Sequence, residues 1–142
     1  MDFPTIIVPG IPRPSGSKRA FIVGGRARIA PDNPEQRNWQ RLVTECAVEV
    51  WGERQVILGP VFLCATFWFP RPKGHYRRDG SVRPDASDYC RTKPDLDKLL
   101  RAVGDALSGI VWRDDSQVVH VRAVKRYTAG HPQAELMISL AS

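Results

Sequence analysis

The chain has very little of what builds covalent or zinc-held scaffolds: three cysteines and three histidines in 142 residues. Cysteines as few and scattered as Cys46, Cys64 and Cys90 exclude a disulfide framework and a zinc site. Cys46 and Cys64 fall on apolar faces and read as small core residues. No apolar run approaches the roughly 20 residues that span a bilayer, and the first residues lack the basic start and apolar stretch of a secretory signal. Internal repeats and low-complexity tracts are missing as well. Acid is the scarcer charge, with 15 Asp and Glu against 21 Lys and Arg, a net +6 and a pI of about 9.7. A cytoplasmic protein is expected, with no membrane partner and no small-molecule cofactor. The basic balance suits a polyanionic partner.

What is present describes one domain over residues 1–142, long enough to bury a real core at 42% hydrophobic content. Thr5 to Val8 is a β-branched run and reads as a strand. Residues 20 to 29 read as a hairpin turning at Gly24-Gly25, preceded by an extended basic loop from Pro12 to Arg19. A first helix follows Asn33, a capping residue, with Pro34 at its first position and Gln36 completing a capping-box pattern. Trp39, Leu42, Val43, Cys46, Ala47 and Val50 recur at helical spacing, and Gly52 is the stop signal. Residues 61 to 69 are apolar on both alternating faces. That suits a central strand covered by helix on one side and by a partner subunit on the other. A second helix spans about residues 95 to 108, with Leu96, Leu99, Leu100, Val103, Leu107 and Ile110 as its stripe. Two more strands end the chain; Ala134, Leu136, Ile138 and Leu140 alternate in the last. The fold class is α/β (α+β), a small mixed sheet with two main helices.

Between Pro70 and Pro94 periodicity disappears. The stretch holds Arg71, Lys73, Arg77, Arg78, Arg83, Arg91 and Lys93 against Asp79, Asp85 and Asp88, and residues 70–94 are expected to form a flexible basic loop of functional use.

Against this basic background, acid is concentrated at the two ends of one short unit: Asp95 and Asp97, then the second helix, then Asp114 and Asp115. In a regular helix Asp95 and Asp97 would point about 200° apart, so they converge only if Asp95 lies at the cap. Pro94 favours that break in the chain. A helix of fourteen residues is about 21 Å long, and the residues from Ser108 to Asp115 reach at most about 25 Å. For the acidic ends to meet, residues 109 to 115 should run nearly straight back along the helix. Carboxylates without His or Cys beside them select hard cations, Mg²⁺ or Mn²⁺ before Zn²⁺. The competing reading is a helix cap at Asp95 and a turn at Asp114-Asp115. Arg101 is open in the same way: it lies four residues from both Asp97 and Asp105, as a surface ion pair would, or it faces a phosphate.

The segments Lys93-Pro94-Asp95-Leu96-Asp97-Lys98-Leu99-Leu100-Arg101, Asp105-Ala106-Leu107 and Trp112-Arg113-Asp114-Asp115-Ser116-Gln117-Val118 resemble the RusA-type Holliday-junction resolvases. The early Pro-rich basic segment Ile11-Pro12-Arg13-Pro14 and the order of elements match too. The family's enzymes are dimeric, Mg²⁺-dependent endonucleases, often carried by bacterial phages and prophages. By that resemblance Asp95, Asp97 and Asp115 are the essential carboxylates, with Asp114 beside them as a further metal ligand. Arg101 stands where the family commonly has a catalytic-site lysine, and Lys98 where it often has asparagine. The two cations are not interchangeable at a phosphate. The implied cofactor is Mg²⁺, with Mn²⁺ as a substitute. The implied partners are a four-way DNA junction and a second copy of the chain, with the outer side of residues 61 to 69 as dimer surface. Arg13, Lys18, Arg19, Arg71, Lys73, Arg77, Arg78 and Lys93 would contact DNA phosphates. The alternatives are a less selective branched-DNA or flap nuclease and a non-catalytic DNA-binding protein.

Overall fold

The computed structural model describes residues 3–15, 18–23, 26–31 and 34–141, the side chains of residues 18–37 excepted. In chain order the elements are strands β1 (Ile6–Pro9), β2 (Lys18–Val23) and β3 (Arg26–Pro31), helix α1 (Pro34–Trp51), strand β4 (Val61–Pro70), helix α2 (Leu96–Leu107), and strands β5 (Val118–Thr128) and β6 (Gln133–Leu140). The main sheet has the order β1-β6-β4-β5, while β2 and β3 pair as a separate hairpin. β4 runs parallel to β5 and antiparallel to β6. The sheet is therefore mixed, as the sequence implies for an α+β chain. Gly24, Gly25 and Asn33, the expected turn and cap, lie outside the described residues. The loop expected as far as Arg19 ends sooner, because Lys18 and Arg19 already belong to β2.

Alternation in β4 decides which face is core. Val61, Leu63, Ala65, Phe67 and Phe69 are buried, whereas Phe62, Cys64, Thr66 and Trp68 are half-buried on the opposite face. Both helices contribute to the first face. α1 buries Trp39, Val43, Ala47 and Trp51 at helical spacing; α2 buries Leu99, Ala102, Val103, Ala106 and Leu107. Thr44 Oγ1 donates to Ala106 O at 3.0 Å and ties the helices together. Gly52 ends α1 at φ +61°, in the left-handed geometry that spares a glycine the Cβ penalty. Of the cysteines, Cys90 is the buried one, while Cys46 and Cys64 are only half-buried.

Residues 71–94 are not featureless. They include a 3-10 turn at Lys73–His75 and a bridge from Tyr76 to Val82. Cys90 N donates to Lys125 O and Tyr127 N to Asp88 O, so the segment is laced along β5 by main-chain bonds. The interactions that hold it pair residues far apart in sequence, which periodicity does not register.

The return from α2 departs from the straight run expected over residues 109–115. Gly109, at φ +85°, reverses the chain at the helix end, and Ile110 N and Val111 N both donate to Leu107 O. Val111 and Trp112 then turn fully into the core. Burying an indole outweighs any benefit of an extended path in solvent. Gln117 locks the result: its Nε2 donates to Ile57 O (2.7 Å) and Gly59 O (3.0 Å), and its Oε1 accepts from Arg113 N and Asp114 N, each at 2.8 Å. Gln117→Ala should cost about 2 kcal/mol of unfolding free energy, read as a lower urea midpoint at unchanged slope. A loss under about 0.5 kcal/mol would mean that the turn holds itself.

Candidate active site

The acidic residues sort into two groups according to the element that carries each. Asp97, Arg101 and Gly104 recur along one face of α2, and Asp115 faces them from the turn before β5. Asp97, Arg101, Gly104 and Asp115 line one cavity of about 260 Å³, backed by Leu63, Leu100, Trp112, Val118 and Val121. Asp97 sits in the first turn of α2, where the helix dipole favours negative charge. Asp115 meets the helix seven residues further on, at Gly104, about 10 Å along the axis. The site is thus spread along the helix, with Arg101 between its acidic ends.

Asp115 is held in place. Its Oδ1 accepts from Trp112 Nε1 at 2.9 Å and from Ser108 Oγ, which leaves Oδ2 without a hydrogen bond among the described residues. A Cβ on Gly104 would stand 3.2 Å from both carboxylate oxygens, so the absence of a side chain there is what admits the carboxylate so close. Asp105, beside Gly104, has its carboxyl pushed above the usual range, first by burial and then by nearby Asp115, with Arg101 opposing.

Asp95 takes the position expected of it, the cap of α2 with extended φ −71° and ψ 141°. Its side chain makes no cap hydrogen bond and lies 3.9 Å from Lys98 Nζ. It does not line the Asp97–Asp115 cavity. Asp114 caps the 3-10 turn Asp115–Gln117: its Oδ1 accepts from Ser116 N at 2.9 Å, and this bonding with Ser116 lowers its carboxyl from the usual range. Arg101 closes neither of the helix-surface pairs that its spacing allows, with Asp97 or with Asp105, within 4.0 Å. Arg101 lines the cavity and, among the described residues, closes no ion pair there.

The donor set suits a hard cation, being all oxygen, with no His or Cys lining the cavity. Among the described residues no three His, Cys, Asp or Glu stand close enough to enclose an ion by themselves. Mg²⁺ is ordinarily held by one or two carboxylates plus waters and phosphate oxygens, so two carboxylates on one cavity are a sufficient protein contribution.

Sequence reading missed several supports. Lys125 Nζ donates to Thr92 O (2.6 Å) and Pro94 O (2.7 Å), fixing the approach to α2 from the neighbouring strand. Trp112 offered a signal, since a buried indole needs an acceptor; Gly104 and Ser108 offered none. Of the expected DNA contacts, Lys73, Arg77, Arg78 and Lys93 are exposed and Arg13 half-buried. The side chains of Lys18 and Arg19 lie outside the description. Arg71 departs from expectation: it is 8% exposed, paired with Asp88 at 3.0 Å and donating to Ser87 O at 2.8 Å. Its charge is spent inside the protein, because the segment folds back over it.

An α+β domain that sets an acidic, arginine-bearing cavity among basic loops has the make-up of a hydrolase acting on nucleic acid. Residues 9–139 match the family model described as endodeoxyribonuclease RusA, and the chain belongs to that family. It is accordingly an endodeoxyribonuclease, a hydrolase of DNA phosphodiester bonds in a family that resolves Holliday junctions in recombination and generally depends on a divalent metal. Membership removes the non-catalytic alternative. The chain is also 30% identical over 146 residues to a Bacillus subtilis (strain 168) protein, "Uncharacterized protein YqaN", covering 97% of this chain and 96% of that one. No helix among the described residues is long and apolar enough to cross a membrane.

Two substitutions read the site without requiring activity. Gly104→Ala should gain less than the roughly 1 kcal/mol that alanine normally brings to a helix, because Asp115 must shift by a few tenths of an ångström. A full gain in thermal melts would show that Asp115 moves freely. Asp105 has a raised folded-state pKa, so its charged form costs stability at neutral pH. Asp105→Asn should therefore be more stable than the parent at pH 7, by less than about 1 kcal/mol. That advantage should vanish as pH falls below about 4, where the parent is protonated in both states; an advantage independent of pH would contradict the assignment.

Proposed function

We propose that the protein resolves four-way DNA junctions as a homodimer by Mg²⁺-dependent hydrolysis of paired phosphodiester bonds. The observation that carries this reading is the single cavity lined by Asp97, Arg101 and Asp115 in a chain of the RusA family. Asp97, with Asp95 contributing from the helix cap, and Asp115, about 10 Å further along α2, would hold one or two cations between them; Asp114 adds charge beside Asp115 while capping its turn. When bound, Mg²⁺, or Mn²⁺ in its place, supplies Lewis acidity toward the phosphate and a more acidic water. Arg101 pairs with the scissile phosphate and offsets its developing charge. Trp112 and Ser108 hold Asp115 in one orientation, and Leu63, Leu100 and Val121 thin the water around the cavity, which strengthens each charge interaction. Arg13, Lys18, Arg19, Lys73, Arg77, Arg78 and Lys93 grip the DNA backbone.

A second copy would supply the second cut. The outer face of β4 supports this, with Phe62 and Trp68 half-buried beside exposed Met137 of β6 and Ile7 of β1. Incubation of a mobile four-way junction with the protein and Mg²⁺ should give symmetric nicks on opposing strands. Equal cutting of a linear duplex of the same sequence would favour a less selective nuclease. Asp97→Asn should retain junction binding and lose nicking by at least about a hundredfold; undiminished cleavage would overturn the site.

A further inference from the structure

A second cavity, of about 500 Å³, lies between β5 and the 71–94 segment, apart from the acidic one. We propose that it is a subsite for an unpaired nucleotide of the DNA substrate. Its walls combine the rings of His75, Tyr89 and Tyr127 with the side chains of Arg83, Asp85 and Arg91. Its volume is that of an ordinary small-ligand pocket.

The walls are built rather than accidental. Arg71, withdrawn from solvent, donates to Ser87 O, pairs with Asp88, lies 3.2 Å from His75 Nδ1 and places its guanidinium 5.8 Å from the Tyr127 ring centre. His75 meets Tyr127 edge-on at 5.0 Å. Tyr89 rests on the Arg126 guanidinium at 5.0 Å yet remains 55% exposed, so part of its ring is left for a stacking partner.

The chemistry favours a base with its backbone over a free anion. Asp85 faces the cavity, 3.6 Å from Arg83, and would repel an isolated phosphate while accepting from amino groups on a base edge. An adjoining hollow is richer in cations, with Arg77, Arg78 and Arg83 against the one carboxylate of Asp85, which like Arg83 lines both spaces. Aromatic faces beside a basic track are how proteins take up unpaired strands. Thr92, on the cavity wall, is five residues from Asp97 of the acidic cavity, a chain reach of at most about 18 Å, or roughly five stacked nucleotides. A linear duplex keeps its bases paired and stacked at that distance from a scissile phosphate, whereas the interrupted stacking at a branch point lowers the cost of extruding one. The pocket would therefore select branched DNA for the acidic cavity.

The inference rests on the DNA-cutting reading of that cavity but is tested by binding without divalent metal, where nothing is cut. The full chain is titrated with a mixed-sequence single strand of about 12 nucleotides, whose adenine and cytosine bases carry amino groups, and with a paired duplex of equal length. Tyr89→Leu should weaken binding of the single strand about tenfold and leave the duplex within about twofold, while Tyr89→Phe keeps both affinities. A strand carrying 5-iodouracil should photocrosslink to the peptide holding Tyr89, His75 or Tyr127. Equal loss on both probes, no loss on either, or crosslinks confined to other peptides would overturn the proposal. Failure of the junction to be nicked, with this binding pattern intact, would instead overturn the reading of the acidic cavity.

Discussion

Asp115 carries both carboxylate oxygens to 3.2 Å from where a side chain on Gly104 would begin, and the local chain is arranged around that approach. A glycine inside a helix costs about 1 kcal/mol relative to alanine, a cost accepted here where the carboxylate must come in. Gly109 reverses the chain, Trp112 sinks into the core and turns its Nε1 to Asp115, and Gln117 clamps the turn to residues 57–59. Loss of any one of these would let Asp115 swing away from Arg101 and Asp97. The position of this one carboxylate is thus secured by a core indole, a left-handed glycine and a side-chain amide.

The same compactness has an electrostatic consequence. Asp97 and Asp115 line one cavity with Arg101, and Asp105 follows on the same helix; among the described residues Arg101 closes no ion pair with Asp97 or Asp105. The carboxyl of Asp105 is raised first by burial and then by nearby Asp115. Like charges held together by a scaffold store an attraction for a divalent cation, because binding one relieves the repulsion. In the proposed reading the chain's net charge of +6 would draw in phosphate from a distance, while the acidic cavity would draw in the metal; neither sign alone would assemble both.

The architecture was largely legible because it follows from local periodicity: the α1 stripe from Trp39 to Val50, the α2 stripe from Leu96 to Leu107 and the alternation in β6 each report one buried face, whereas residues 61 to 69 are apolar on both faces and only the fold shows which one is core. The acidic residues were legible as a motif, and Asp95 as a cap. What stayed hidden depends on neighbours distant in sequence. The return of Asp115 to the middle of α2 follows from burying Trp112, which chain-reach arithmetic ignores. Arg71 looks like its basic neighbours in sequence, yet Ser87 and Asp88 consume it. Lys125 reads as another surface lysine until its contacts with Thr92 and Pro94 are seen.

Strand β5 links these parts mechanically. Val118 and Val121 line the acidic cavity, Lys125 clamps the start of α2, Arg126 lies over Tyr89, and Tyr127 walls the second cavity. Its parallel pairing with β4, continuous in register from Phe62↔His120 to Pro70↔Thr128, makes the strand one stiff rail with a basic loop laced to it. A nucleotide held at Tyr127 and a phosphate brought to the cavity that Asp115 and Arg101 line would therefore be spaced by backbone geometry. Such fixed spacing is what an enzyme needs to recognise a branch by shape, since the sequence at the crossover can vary while its distance from the cut cannot.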